Sequence, residues 1–331
     1  MSRKRLGMFA LLLTGSLGVL PAAEPNGMTV TPAGLGNSYR LALNGERIAW
    51  YNFDRKYAKP NLFGLAVGNA VVTRSWPIDP ASGVSRDHVH QKSAWFTHGE
   101  VTLETGDQTG KPTDFWAEGP ASGKIVVVEG GLPKPGRPLV SGNEWHGPDG
   151  KQILSDSRSM ALYSVAGGRL IVFDIELQAA FGPVVFGDTK EGAFGVRVSD
   201  DLRVGEKGKI NPKSRITNAD GKQGEKACWG HLSNWCDYSG EIDGKPVGIA
   251  VFDDPANKPR ACWHVRDYGL MAANPFGRAK SGFPAMRGRS DVVRLTKGEQ
   301  LKLRYGIFLH EGDAVAGKVA EAFEQFVKLK N

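Results

Sequence analysis

Apolar residues recur along most of the chain in short runs rather than in long helical stretches. Ten such runs, at 39–43, 47–51, 93–97, 124–129, 152–162, 169–178, 184–186, 194–198, 247–252 and 300–308, predict β-strands. The clearest is 169–178, where Ile171, Phe173, Ile175 and Leu177 fall at every second position with Asp174 and Glu176 between them. Successive side chains of a strand point to opposite faces, so the four apolar groups are expected to face a core and the two carboxylates to face away. Hairpin turns fit at Pro148, Asp149, Gly150 and at Ala166, Gly167, Gly168. One helix is expected, from Asp313 onward, where Val315, Val319, Ala322, Phe323 and Phe326 recur at helical spacing. Lys328 and Lys330 stand near its carbonyl end, where cations are favoured. Such a helix is expected to pack on the sheet as a structural element.

Composition agrees with many turns joining many strands. The 331 residues include 43 Gly and 19 Pro, spread between the apolar runs, which argues against a helix bundle. The expected fold class is all-β, one large antiparallel β-sandwich with a C-terminal α-helix, formed as a single domain by residues 24–331. Residues 1–23 stand apart. Arg3, Lys4 and Arg5 make a basic start, an apolar stretch follows over 6–20, and Ala22 and Ala23 supply small residues, so the segment reads as a secretory signal peptide cut near Ala23. That stretch is short of the roughly 20 residues a bilayer span needs. The 331 residues less these 23 leave 308, expected to be periplasmic or extracellular and to carry no membrane span.

The formal charge of +7 includes three from the signal, and the remaining +4 gives no reason to expect a nucleic-acid partner. The one basic concentration, 203–226, holds seven Lys or Arg against three acids among Gly, Asn and Pro and reads as a solvated loop. Cys228, Cys236 and Cys262 are too few for a disulfide framework, although one bridge and one free thiol are compatible with them. No Cys-x-x-Cys pair occurs, so a thiolate zinc site is not expected.

Chemistry concentrates in three groups. The first runs from Arg86 through Asp87, His88, Val89, His90, Gln91 and Lys92 to Trp95, Phe96, Thr97 and His98, with Asp114, Phe115 and Trp116 downstream. In an extended segment His88 and His90 share a face, and two neighbouring imidazoles either exchange protons near neutral pH or ligate a divalent metal. The second group is Asp188, Thr189, Lys190, Glu191 and Arg197, interleaved with Gly187, Gly192 and Gly195. Glycine lets backbone approach a ligand closely while the charges supply fixed polar contacts, and a structural pair between Glu191 and Arg197 is the plainer alternative. The third holds Trp229, His231, Trp235, Asp253, Asp254, Trp263, His264, Arg266, Asp267, Tyr268 and Asn274. Indole faces with directional Arg, Asn and Asp contacts suit a polyhydroxylated ring, and Trp is equally a core filler. There is no Gly-x-Ser-x-Gly, His-Glu-x-x-His, P-loop or dinucleotide fingerprint, which removes the common serine-hydrolase, zincin, NTPase and dehydrogenase classes.

These residues resemble a bacterial family known as the "methane oxygenase PmoA" family. The resemblance rests on Lys59, Pro60 with Val72, Thr73, Arg74; on Asp87, His88, Val89, His90 leading to Trp95, Phe96, Thr97, His98, Gly99; and on Asp114, Phe115, Trp116. It continues through the segment from Phe186 to Gly192 with Val196, Arg197; through Trp229, Gly230 and Trp235; and through the segments 263–269 and 274–277, spanning about residues 38–312. Where the pattern has two adjacent histidines, this chain has His90 followed by Gln91. Membrane methane monooxygenase subunits need several transmembrane helices, which this chain does not offer, so the family's name is not taken as an activity. The architecture is similar to the galactose mutarotase-like supersandwich. That resemblance implies a histidine acid and a glutamate base at an anomeric centre, with His88, His90 or His264 in the first role and Glu191 in the second.

The resulting expectation is an exported carbohydrate-active protein performing acid/base chemistry of the epimerase, lyase or hydrolase type on a mono- or short saccharide, neutral or oxidised. His88, His90, Glu191 and His264 are the expected catalytic residues. Arg86, Trp95, Asp114, Trp116, Lys190, Arg197, Trp229, Trp235, Trp263, Arg266 and Asn274 are the expected substrate contacts, with Arg197 and Arg266 holding a carboxylate or hydroxyl pair and Trp229 and Trp263 forming an apolar wall. No metal ligand is assigned and the sequence specifies no cofactor. The alternatives are a non-catalytic glycan-binding protein of the envelope and a metalloprotein centred on His88 and His90.

Overall fold

The alternation along 169–178 belongs to a strand with a covered surface on each side. A computed structural model describes residues 27–34, 37–79, 85–105, 110–206 and 208–329, so the signal expected over 1–23 lies outside the described residues. The chain runs through β1 (Met28–Pro32), β2 (Ser38–Leu43), β3 (Glu46–Asn52), β4 (Asn61–Phe63), β5 (Ala66–Val67), β6 (Ala70–Val71), β7 (Ala94–His98) and β8 (Val101–Leu103). It continues with β9 (Lys124–Gly130), β10 (Leu139–His146), β11 (Gln152–Val165), β12 (Gly168–Gln178), β13 (Val184–Phe186), β14 (Gly192–Arg197), β15 (Gly205–Glu206), β16 (Lys209–Ile210) and β17 (Arg215–Asn218). After the single-turn helix α1 (Glu225–Cys228) come β18 (Trp235–Ile242), β19 (Lys245–Asp253), β20 (Cys262–Arg266), β21 (Leu270–Asn274), β22 (Val293–Leu295), β23 (Gln300–Glu311) and helix α2 (Val319–Lys328).

Two eight-stranded sheets dominate. Sheet one has the order β1-β2-β3-β4-β7-β14-β21-β20 and sheet two the order β17-β18-β19-β23-β12-β11-β10-β9, with every neighbouring pair antiparallel. Their inner faces share one apolar core, to which sheet one brings Phe96, Phe194, Val196, Met271 and Trp263 and sheet two brings Ile171, Phe173, Ile175, Leu177, Tyr305 and Ile307. The antiparallel β-sandwich expected from the sequence is therefore the observed class, and all ten expected runs lie in strands, within a residue at their ends.

Helix α2 closes the outer face of sheet two. It buries Val319, Ala322, Phe323 and Phe326 against Leu170 and Val172 of β12, Phe252 of β19 and Phe308 of β23. Full burial of such side chains contributes about 1.5–3 kcal/mol each. The helix starts six residues later than expected. Asp313 Oδ1 accepts the backbone N–H groups of Val315 and Ala316, and Lys318 takes a left-handed φ of 56°, so 313–318 is a turn that leads into the helix. The segment 203–226 also differs from a solvated loop: it contains β15, β16 and β17 and reaches into α1.

Candidate functional site

The outer face of sheet one is built on a row of small residues. Gly195 of β14 pairs with Trp95 of β7 on one side and Ala272 of β21 on the other, and Ala272 pairs in turn with His264 of β20. A Cβ at Gly195 would stand 2.7 Å from the Trp95 indole, so the ring lies across the glycine. Trp95, Trp116, Leu270 and Ala272 form a separate apolar cluster here, with Trp95 and Trp116 centroids 5.0 Å apart. Above this floor opens a hollow of about 500 Å³, lined by His88, His90, Gln91, Asp114, Trp116, Ala117, Lys190, Glu191, Glu225, His264, Arg266 and Tyr268.

Its rim is held by ion pairs between buried arginines and a partly exposed aspartate. Asp87 accepts Nη2 of Arg197 at 2.8 and 3.0 Å, Nη1 of Arg74 at 2.9 Å and the Ser85 hydroxyl at 2.9 Å, with Arg203 at 3.5 Å. Arg74 also donates to the carbonyls of Asp87, His88 and Gln91, which ties down the segment where His88 takes a left-handed φ of 43°. Burial opposes the charge on Asp87, but the hydrogen bonds from Arg197, His88 and Ser85 and the Arg197 charge outweigh it and hold the carboxyl well below its ordinary range. The carboxylate accepts from Nδ1 of His88 at 2.7 Å, and because an ionised carboxylate has no proton to give, Nδ1 is the donor, which in the neutral ring leaves Nε2 as the acceptor. The His88 ring lies parallel to Tyr268, centroids 5.0 Å apart, and its side chain is 42% exposed.

The other walls are set similarly. Lys59 is fully buried and donates to the Phe115 and Trp116 carbonyls, while Glu118 bridges it to Lys92. Burial pushes the Lys59 ammonium down to about 8 despite Glu118. Asp114 Oδ1 accepts the N–H groups of Trp116 and Ala117, a turn cap within the hollow's lining. Asn274 donates to the Thr189 and Lys190 carbonyls and so positions the loop carrying Glu191. Glu225 accepts Nη1 of Arg266 and the N–H of Asp267, both at 2.7 Å, and the Arg266 guanidinium lies 5.3 Å from the Trp229 ring.

These surroundings separate the titratable groups. Burial, with the charge of Lys59 second, pushes His90 down to about 3; burial, with the charge of Arg266, pushes His264 down to about 3. Both imidazoles are therefore neutral, and neither is a proton donor at neutral pH. Burial raises Glu191, helped by the Asp114 charge and opposed by Lys190 and Arg266.

Eight residues singled out in the sequence thus share one hollow: His88, His90, Asp114, Trp116, Lys190, Glu191, His264 and Arg266. Others are placed differently. Arg197, expected beside Arg266, is fully buried, committed to Asp87 and Gln91, and outside the lining of the hollow. Trp263 faces the core and donates to the Ser233 carbonyl, and Trp235 lies in the cluster under α2, so the expected wall of Trp229 and Trp263 is replaced by Trp116 and Tyr268. Trp229 backs Arg266, Trp95 packs on Trp116 outside the lining, Asn274 is a loop support and Arg86 is exposed outside the lining. No pair forms between Glu191 and Arg197. Glu225 and Tyr268 were not singled out as site residues, although the Trp-His-Val-Arg-Asp-Tyr run contained the second. Among the described residues no group of three or more His, Cys, Asp or Glu is placed to hold a metal ion. Cys228, Cys236 and Cys262 are buried free thiols.

Larger grooves, of about 980 and 880 Å³, lie on the outer face of sheet two. Most of their charged groups are paired, Glu176 with Lys302, Arg304 with Asp174 and Asp254, and Glu144 with His146 beyond the lining. In the smaller hollow Glu225 pairs with Arg266, but the side chains of Lys190 and Glu191 make no ion pair among the described residues, and with Nε2 of His88 they mark it as the candidate site.

No curated protein matches the chain significantly. Among solved structures it is similar to a galactose mutarotase-like protein from Clostridium acetobutylicum, at 8% identity over 84% of this chain and 94% of that one with a TM-score of 0.36. A second such protein, from Lactobacillus casei ATCC 334, matches at 10% identity over 86% of this chain and 100% of that one, TM-score 0.37. A polysaccharide lyase matches at 12% identity over 94% of this chain and 35% of that one, TM-score 0.36, so the chain spans about a third of that lyase. Two of these carry the mutarotase-like description expected from the sequence, and no residue role is transferred from any of them. None of the comparisons points to the PmoA family. Residues 38–324 match the model of a family of unknown function, DUF6807, and the chain belongs to that family.

Proposed function

We propose that the hollow on sheet one is the active site of a carbohydrate-active enzyme that moves protons on and off a mono- or short saccharide. The observation that carries this is the presence in one cavity of an oriented imidazole and a buried carboxyl: His88, with Nδ1 committed to Asp87 and Nε2 facing the hollow, and Glu191, a carboxyl raised by burial. A carboxyl that keeps its proton longer than usual beside an oriented imidazole base is the separation that acid/base catalysis needs. Trp116 and Tyr268 supply apolar faces for a ring, and a cavity of about 500 Å³ is in the range of small-ligand sites. His90 and His264, held neutral, serve as hydrogen-bonding partners for hydroxyls rather than as acids. Epimerisation, elimination and hydrolysis each use such a pair.

The test is a panel of mono- and disaccharides and their uronates, followed by NMR for both binding and product. For a substrate found there, His88→Ala and Glu191→Gln are expected to keep binding and to lower turnover by about 10²–10⁴-fold. Tight binding with no turnover on any sugar would make the protein a glycan binder instead, and absence of any saccharide binding would overturn the reading. The basic, apolar and small-residue order of residues 1–23 supports export, for which N-terminal sequencing of the protein from its native cells should find Glu24 first. An intact Met1 would contradict it. Among the described residues no helix is long and apolar enough to cross a membrane.

A further inference from the structure

The hydrogen-bonding capacity of the hollow is unevenly spent. Both oxygens of Glu225 are used by Arg266 and the Asp267 N–H, and both ends of the Gln91 amide by Arg197 and Tyr268. Oδ1 of Asp114 is used by its own turn. Two cations remain with donors unspent. Nζ of Lys190 has no hydrogen-bond or ion-pair partner among the described residues, and Arg266 uses Nη1 on Glu225 and Nε weakly on His264, 3.4 Å away, which leaves Nη2. Deeper in the same wall, Nδ1 of His264 is buried without a partner while its residue is 2% exposed. The hollow's unspent acceptors, Nε2 of His88 and the Glu191 carboxyl, are the groups assigned to proton transfer, and the unspent groups left to anchor a ligand are two positive, donor-only ones.

We propose that the hollow selects saccharides bearing a carboxylate, of the uronic acid class, with the carboxylate set between Lys190 and Arg266. This deepens the proposed function and rests on it. Lys190 gives a point charge, and Arg266, fixed by Glu225 and backed by Trp229, gives directional donors that lose little freedom on binding. Lys190 sits on a loop whose backbone is held by Asn274, so its side chain can be changed without loosening the loop. The carbon next to a carboxylate becomes easier to deprotonate when that carboxylate's charge is neutralised, so the two cations also lower the barrier to the proton transfers assigned to His88 and Glu191.

Calorimetric titration of the whole protein with glucose, galactose and mannose, each paired with its uronate, tests this. At least one uronate is expected to bind tenfold or more tightly than its parent sugar, with an affinity that falls as salt rises. Lys190→Gln should weaken the uronate tenfold or more and its parent sugar by less, so that the preference is lost, and Lys190→Arg should restore most of it; an unchanged melting temperature shows that the loop is intact. Equal or tighter binding of the neutral sugars, or a preference that survives Lys190→Gln, would overturn the inference and leave the site assignment standing. Failure of every sugar, charged or neutral, to bind would overturn both.

Discussion

The molecule contains two carboxylate–histidine pairs of nearly equal length and opposite character. Asp87 and His88 are 2.7 Å apart on the outer face of sheet one, while Asp237 and His310 are 2.8 Å apart on the outer face of sheet two. His310 has both ring nitrogens occupied, Nε2 by Asp237 and Nδ1 by the Glu311 carbonyl, and both side chains of the pair are fully buried. Gly317 in the turn before α2 presses on the ring so closely that a Cβ there would stand 2.1 Å from Nδ1. His88 has one nitrogen occupied, an exposed ring and a strained backbone held by Arg74. The difference teaches that the pairing itself is not the sign of chemistry; what matters is whether the second nitrogen is spent inside the protein or left facing a cavity.

Exchanging the roles of the two pairs by mutation should separate turnover from stability. The largest effect is expected at the open site, where His88→Ala and Glu191→Gln remove the proton-transfer groups while stability moves little. His310→Ala should do the reverse. It leaves Asp237 buried and uncompensated, at a cost of about 3–5 kcal/mol read from urea unfolding, with turnover unchanged. Loss of turnover in His310→Ala at full folding would break the comparison. Asp87→Asn should lower turnover by about 10–100-fold, because it keeps the shape but loses the charge that orients His88 and satisfies Arg74, Arg197 and Arg203. An effect below twofold would show that His88 needs no orienting partner.

A smaller effect sharpens the same contrast. Burial alone would lower His310, but the charge and hydrogen bond of Asp237 hold it above its ordinary value. A group raised on folding stabilises most below its unfolded value, about 6.5 for histidine, and the contribution fades as pH rises through the folded one. The stability difference between the native protein and His310→Gln should therefore be larger near about pH 5 than near about pH 9. A difference that grows with pH would contradict the pairing.

Strands with one polar face were readable in the sequence, and β12 is the clearest case. β21 was not, because Leu270, Met271, Ala272 and Ala273 are all buried: the outer face of sheet one is itself covered, by Trp95 and Trp116, and no alternation survives. β10 was missed for a different reason. Its core-facing positions include Ser141 and Asn143, which sit inward beside the buried Asp156 and Arg158 pair. At the site, the polar segments around His88, Glu191 and His264 stood out, but the parity of β20 was not used. His264 and Arg266 on one face oblige Trp263 and Val265 to occupy the other, so the rule of alternation excluded Trp263 from the hollow. Glu225 was hidden at the end of a basic, Gly-rich stretch, and only the three-dimensional path of α1 brings it to Arg266.

A crystal structure of the protein soaked with whichever saccharide of the panel binds most tightly tests the assignment most directly. The expected result is a sugar ring against Trp116 and Tyr268, within reach of His88 and Glu191, with a carboxylate between Lys190 and Arg266. A sugar lying instead in the grooves over Ser157 and Glu176, with the hollow of sheet one empty, would contradict the account.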